Sequence, residues 1–151
     1  MTMNKTVDAI ELLTADHREV EVLFKQFKEE DDEECKAGIA HMVCMCLTAH
    51  TVIEEELFYP AAEKVLNDKA MFDDAKKEHA EAKQMIAQIE KSSGTQLEQL
   101  MTQLEAAINH HVSDEEDKMF PQLQQAGMET TNLGMEMLEC KMECKVELMM
   151  K

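Results

Sequence analysis

Apolar residues along this chain return at steps of three and four, which lines them up on one face of an α-helix. Ile10, Leu13, His17, Val20 and Phe24 form the first such stripe and predict a helix over residues 7–29. The acidic run EEDDEE at 29–34 predicts a solvated turn. A second stripe, Val43, Leu47, His50, Glu54 and Leu57, predicts a helix from Cys35 onward, its end disturbed by Pro60, which lacks an amide proton. After Asn67 and Asp68, a third helix carries Phe72, Ala75, His79, Ala82, Ile86 and Ile89. KSSGT at 91–95 reads as a loop. The fourth helix carries Leu97, Leu104, Ala107 or Ile108, His111, Glu115 and Met119 and closes near Gly127; residues 132–151 suit a fifth, Met-rich helix. Four helices of similar length with short connections predict an all-α fold, an antiparallel up-down four-helix bundle. The expected division is a bundle over residues 1–127 followed by a Met/Cys-rich helix or tail over 128–151.

These stripes contain histidines and glutamates where a core wants apolar side chains, and the polar residues repeat. HTVIEEELFYP at 50–60 is echoed by HVSDEEDKMFP at 111–121, and DHRE at 16–19 by EHAE at 78–81. The chain therefore reads as two copies of a helical hairpin. Each copy gives one histidine from its first helix and a His-x-x-x-Glu pair from its second. Residues four apart share a helix face, about 6 Å apart along the axis, so His50 with Glu54 and His111 with Glu115 point inward together. Glu55 and Glu116 are expected to turn about 100° away from them, so that replacing either by alanine would leave metal binding nearly unchanged. Counting residues through each turn brings His17, His50, Glu54, His79, His111 and Glu115 to one level of the bundle. Burying two carboxylates among four imidazoles is costly unless charge is balanced, and carboxylates shared by two cations meet that need. Mixed imidazole and carboxylate donors suit iron, manganese or zinc. Adjacent His110 and His111 both have an acidic residue four places on, Asp114 and Glu115; only His111 continues the apolar stripe and keeps the repeat register with Pro121.

Composition narrows the function classes. With 4 glycines, 2 prolines and few β-branched or aromatic residues in 151, the chain is helix-forming material. A formal charge of −17 argues against nucleic acid or an anionic membrane as a partner. No apolar run approaches the roughly 20 residues needed to span a bilayer. The N-terminal segment MTMNKTVDAIELLTADH lacks a signal-peptide pattern, so a cytoplasmic location is expected. Cys35, Cys44, Cys46, Cys140 and Cys144 do not form a disulfide framework and are expected as thiols. Cys46, one turn before His50, is a small apolar filler or a redox partner of the site. Cys140 and Cys144 share a face of a helix that could bind a soft metal, form a redox pair, or pack on the bundle or on another subunit. Tyr59 answers to Phe120 in the repeat, so its expected role is packing.

The motifs TADHREVEVLF, HTVIEEELFYP, EHAEAKQMI and HHVSDEEDKMFP, over about residues 7–125, resemble those of the hemerythrin-like or HHE cation-binding family. The resemblance implies a non-haem di-iron centre, of Fe–O–Fe type, that binds dioxygen or a related small oxidant or anion. Carried over by motif, His17 and His50 would ligate one iron and His79 and His111 the other, with Glu54 and Glu115 bridging. Oxygen-carrying hemerythrins have a further histidine one turn after the third-helix histidine, where this chain has Lys83. That departure implies a more symmetric, more open centre and shifts the expectation from reversible oxygen carriage toward sensing, peroxide handling or iron holding. The alternative functions are a di-iron oxidase or peroxidase acting on hydrogen peroxide, and an iron-holding or regulatory module that uses the C-terminal helix to contact a partner or a second copy.

Overall fold

A computed structural model describes residues 7–150, which form helices and no strand; Lys151 and the first residues of the N-terminal segment lie outside the described residues. The helix α1 (Ala9–Glu29) opens at Asp8, whose carboxylate accepts the Glu11 amide proton at 3.0 Å. The acidic turn does more than face solvent. Asp32 accepts from the Cys35 amide at 2.9 Å and so caps α2 (Glu33–Ile53). Lys36 is buried across the same turn, donating to the carbonyls of Phe27 at 2.9 Å and Glu30 at 3.2 Å. These bonds take up carbonyls that the end of α1 leaves open.

Pro60 does not break the second helical stretch. At Glu54 the helix widens into a π segment, Glu54–Phe58, where the Tyr59 amide donates to the Glu54 carbonyl five residues back. The chain then continues as α3 (Tyr59–Leu66), with Pro60 in its first turn, where a missing amide proton is tolerated. Asn67, in the left-handed region at φ 54°, ends it, and Asp68 caps α4 (Lys69–Ile89). Gly94, at φ 59°, makes the next turn and starts α5 (Gly94–Asp114). The second hairpin repeats the device: a π segment, Glu115–Met119, with the Phe120 amide bonded to the Glu115 carbonyl, then α6 (Phe120–Gln125) with Pro121 in its first turn. After Gly127 the chain forms the fifth long helix, α7 (Thr131–Met149), which packs against α1 and α2.

Two apolar clusters fill the bundle. One holds Val20, Phe24, Phe27, Val43, Leu47, Ala82, Ile89, Leu97, Met101 and Leu104. The other holds Leu12, Leu13, Ile53, Phe58, Ala62, Phe72, Met119, Phe120, Leu123 and, from α7, Met137. Along α1 the buried His17 falls between Leu13 and Val20, so the polar layer is sandwiched between the clusters. The helical stretch Glu33–Leu66 is, contrary to the reading of its sequence, long and apolar enough by length and composition to cross a membrane. Half of its apolar window is packed inside the protein, where it supplies His50 and Glu54 to the layer between the clusters.

Candidate metal centre

Six side chains from four helical stretches meet in the sandwiched layer. His17 comes from α1, His50 from α2, His79 from α4 and His111 from α5, while Glu54 and Glu115 open the two π segments. All six are buried, Glu54 at 0% exposure and Glu115 at 1%. Glu115 spans the layer: its Oε1 lies 3.2 Å from His17 Nε2 and its Oε2 lies 3.2 Å from His111 Nε2. Glu54 Oε1 lies 3.0 Å from His79 Nε2 and 3.4 Å from His50 Nε2. Their donor atoms form two overlapping sets, His17–His50–Glu54–Glu115 and Glu54–His79–His111–Glu115, each within 4.8 Å throughout. Both carboxylates belong to both sets. His17 Nε2, His50 Nε2, Glu54 Oε2 and Glu115 Oε1 are buried and make no hydrogen bond with any other group. Orphaned buried polar atoms are costly, and four converging on one place fit a metal pair.

The other nitrogen of each imidazole is held from behind by a carboxylate. His17 Nδ1 meets Glu116 at 2.6 Å, His50 Nδ1 meets Asp16 at 3.0 Å, His79 Nδ1 meets Glu55 at 2.7 Å and His111 Nδ1 meets Glu78 at 2.7 Å. Such a partner fixes the ring so that Nε2 faces the centre, as second carboxylates do behind metal-ligating histidines. This corrects the expectation for Glu55 and Glu116. They do turn away from Glu54 and Glu115, but the neighbouring helix places an imidazole where they point. Arg18 pairs with Glu116 and Lys141 with Asp16, while Lys83 lies 3.7 Å from Glu55 and His110 3.4 Å from Glu78. Lys83 is thus an exposed partner of an outer carboxylate, and His110, 70% exposed, stays outside the layer as its polar flank predicted. Glu78, His110 and Asp114 form a further cluster at the surface.

Tyr59 requires a second correction. Expected only to pack, it is fully buried with its hydroxyl in the layer, its one proton directed at Glu115 Oε2 at 2.5 Å and Glu54 Oε1 lying 3.2 Å away. The same oxygen lies 3.3 Å from His79 Nε2 and 3.4 Å from His111 Nε2. The π turn is the cause, because it brings the residue five places after Glu54 over the same face. Phe120, at the matching place, lies parallel to His17 with ring centroids 6.3 Å apart and offers no hydroxyl. The two halves of the layer are therefore unequal. The signal was present in the repeat, an aromatic residue five places after each core glutamate. Cys46 turns from the layer to Glu19, at 3.6 Å, and among the described residues no cysteine joins a group able to hold a metal.

Charge balance inside the layer is tight. Burial works against a charged His50, yet the Glu54 carboxylate and the bond to Asp16 raise its pKa to about 10. Burial likewise opposes charge on His111, and Glu115 with Glu54 pushes it up to about 12. Glu54 is held well below the usual carboxylate range: the histidines around it outweigh its burial. Tyr59 is pushed well above its ordinary value by burial and by both glutamates. Two carboxylates this deep demand positive charge, and metal cations compete with protons for the same imidazole nitrogens. A cavity of about 340 Å³ reaches this layer, its lining including His17, His50, His79 and His111 together with Leu47, Ile86 and Ile108.

Residues 8–123 match the model of the hemerythrin HHE cation binding domain. A solved structure of a hemerythrin HHE cation binding domain-containing protein from Mycobacterium kansasii superposes with a TM-score of 0.82 at 20% identity, covering 96% of this chain and 91% of that one. At that identity the likeness speaks for the fold. No curated protein matches the sequence. With the family motif spanning the bundle and its histidines and glutamates gathered in one buried layer, the chain belongs to the hemerythrin HHE cation-binding family.

Proposed function

We propose that the protein holds two iron ions in this layer and binds dioxygen or a related small oxidant there. His17 and His50 would hold one ion and His79 and His111 the other, with Glu54 and Glu115 available to both. The observation that carries the reading is the pair of four-donor sets sharing both carboxylates. Imidazole and carboxylate donors suit iron, manganese or zinc; zinc has no redox chemistry, and iron is the metal that the family resemblance implies. When bound, the pair supplies electrons and open coordination positions. The chain's own residues do the rest. Asp16, Glu55, Glu78 and Glu116 keep the four Nε2 atoms aimed inward. The cavity admits a small molecule past aliphatic walls, and Phe58, Tyr59 and Phe120 pack the side toward the second apolar cluster. The test is metal analysis with an optical spectrum recorded before and after air and azide. Two irons per chain with absorption bands that respond to azide support the reading; stoichiometric zinc without such bands refutes it.

One observation favours peroxide handling as the second reading. The Tyr59 hydroxyl oxygen lies 2.5 Å from Glu115 Oε2 inside the layer, where it can hydrogen-bond a peroxide brought there. Steady hydrogen peroxide turnover that falls in Tyr59→Phe with metal content unchanged would select an oxidase or peroxidase over a binding protein.

A further inference from the structure

Among the four carboxylates behind the histidines, Asp16 stands apart. Glu116, Glu55 and Glu78 are each about a quarter exposed, and their neighbours Arg18, Lys83 and His110 come from the bundle itself. Asp16 is buried at 6% exposure, and its cation is Lys141 from α7, beyond the segment that carries the family motif. The helix is seated to deliver that charge. At its start Gly134 lies so close to the beginning of α1 that an added Cβ would come within 1.8 Å of the Val7 carbonyl oxygen. The Ala9 amide donates to the Thr130 carbonyl at 2.9 Å, and the Thr130 hydroxyl donates to Asp8. One turn beyond Gly134, Met137 is fully buried in the core. Lys141 follows one turn later on the same face, and Lys145 beyond it reaches only the exposed edge, 3.8 Å from Glu19.

We propose that α7 is a clamp on one half of the metal centre, with Lys141 a positioning residue that acts through Asp16 on His50. This rests on the two-metal reading above. The ammonium group shares the buried Asp16 carboxylate with the His50 Nδ1–H, so Asp16 keeps its orientation and His50 Nε2 stays aimed at Glu54. If α7 lifts away, Asp16 loses the ammonium that fixes its second oxygen, keeps the imidazole as its one strong protein partner, and turns toward the water that replaces the helix. The His17–His50 set then loosens, while the His79–His111 set keeps its own supports, Glu55 and Glu78. Docking of the C-terminal helix thereby governs retention at one of the two positions.

The experiment compares loaded wild type with Lys141→Met, Lys141→Arg, Gly134→Ala and Lys145→Met. The reading is metal per chain and the rate of its loss to a chelator. Lys141→Met should release one of its two ions about tenfold faster, the scale of lost outer-shell support. Gly134→Ala should do the same by unseating α7, Lys141→Arg should restore slow release, and Lys145→Met should match wild type. Equal acceleration of both ions, or none in Lys141→Met, overturns the clamp. A wild-type chain that takes up no metal pair would instead defeat the two-metal reading. The clamp is then judged by nuclear magnetic resonance, where the His50 Nδ1–H signal should persist in wild type and Lys145→Met and broaden in Lys141→Met. Its persistence in Lys141→Met overturns the clamp there too.

Discussion

Glu55 and Glu56 are adjacent acidic residues, and only the register of the π segment tells them apart. Glu55 accepts from His79 Nδ1 at 2.7 Å; Glu56 is exposed and touches no residue of the layer. Glu55→Ala deletes a hydrogen bond made by a charged group, worth about 1.5–3 kcal/mol when well formed. Its carboxylate is 30% exposed, so water replaces part of that support, and the lower end, about 1.5 kcal/mol, is the expected loss. That is about tenfold in metal affinity, within the range found for residues behind metal-ligating histidines. Glu56→Ala should leave affinity within a factor of about two, since it changes only distant surface charge. Competition against a chelator of known affinity, at fixed salt and pH, measures both. Equal losses in the two variants would refute the register. So would a silent Glu55→Ala, which is the outcome for a carboxylate simply turned toward solvent.

Three other perturbations have definite outcomes. Tyr59→Phe removes a buried hydroxyl bonded to Glu115 at 2.5 Å; it should cost about 1–3 kcal/mol. In a chain of this size that lowers Tm by roughly 3–10 °C by calorimetry, and a raised Tm would contradict the placement of the hydroxyl. Chelated protein should show a stability maximum in pH. The raised His50 and His111 contribute fully below their ordinary value of 6.5, and that contribution is lost as pH climbs toward about 10 and about 12. The depressed Glu54 and Asp16 contribute fully above the ordinary carboxylate range and lose it as pH falls. Denaturant midpoints should therefore peak between about pH 5 and 6.5, and a flat profile from pH 6 to 10 would contradict the charge balance described. His111→Ala should lose half or more of the bound metal by elemental analysis while His110→Ala retains it; the reverse result would misplace the ligand on α5.

Helical spacing made the bundle and its inward-facing stripe legible, because a period of three and four fixes a face whatever the side chains on it. The same rule found His17, His50, His79 and His111 at one level, since antiparallel helices of known rise match heights by counting residues. It failed where the helix stopped being an α-helix. The two π segments shift everything after Glu54 and Glu115 around the axis, so Tyr59 enters the layer and Pro60 no longer marks an end. Contacts between helices were also out of reach. Nothing along the chain ties Glu55 to His79 or Lys141 to Asp16, since each pairing depends on how two helices are rotated against one another. The acidic turn at 29–34 hid a cap for the same reason that acidic residues suit both roles: Asp32 bonds the backbone while its neighbours face water.

The central claim is that two cations share Glu54 and Glu115, and anomalous scattering at the iron edge from crystals of the aerobically purified protein tests it most directly. Two peaks about 3.5–4 Å apart are expected, one against His17 and His50 and the other against His79 and His111, with both glutamates between them. A single peak, or density confined to the surface cluster of Glu78, His110 and Asp114, would contradict it.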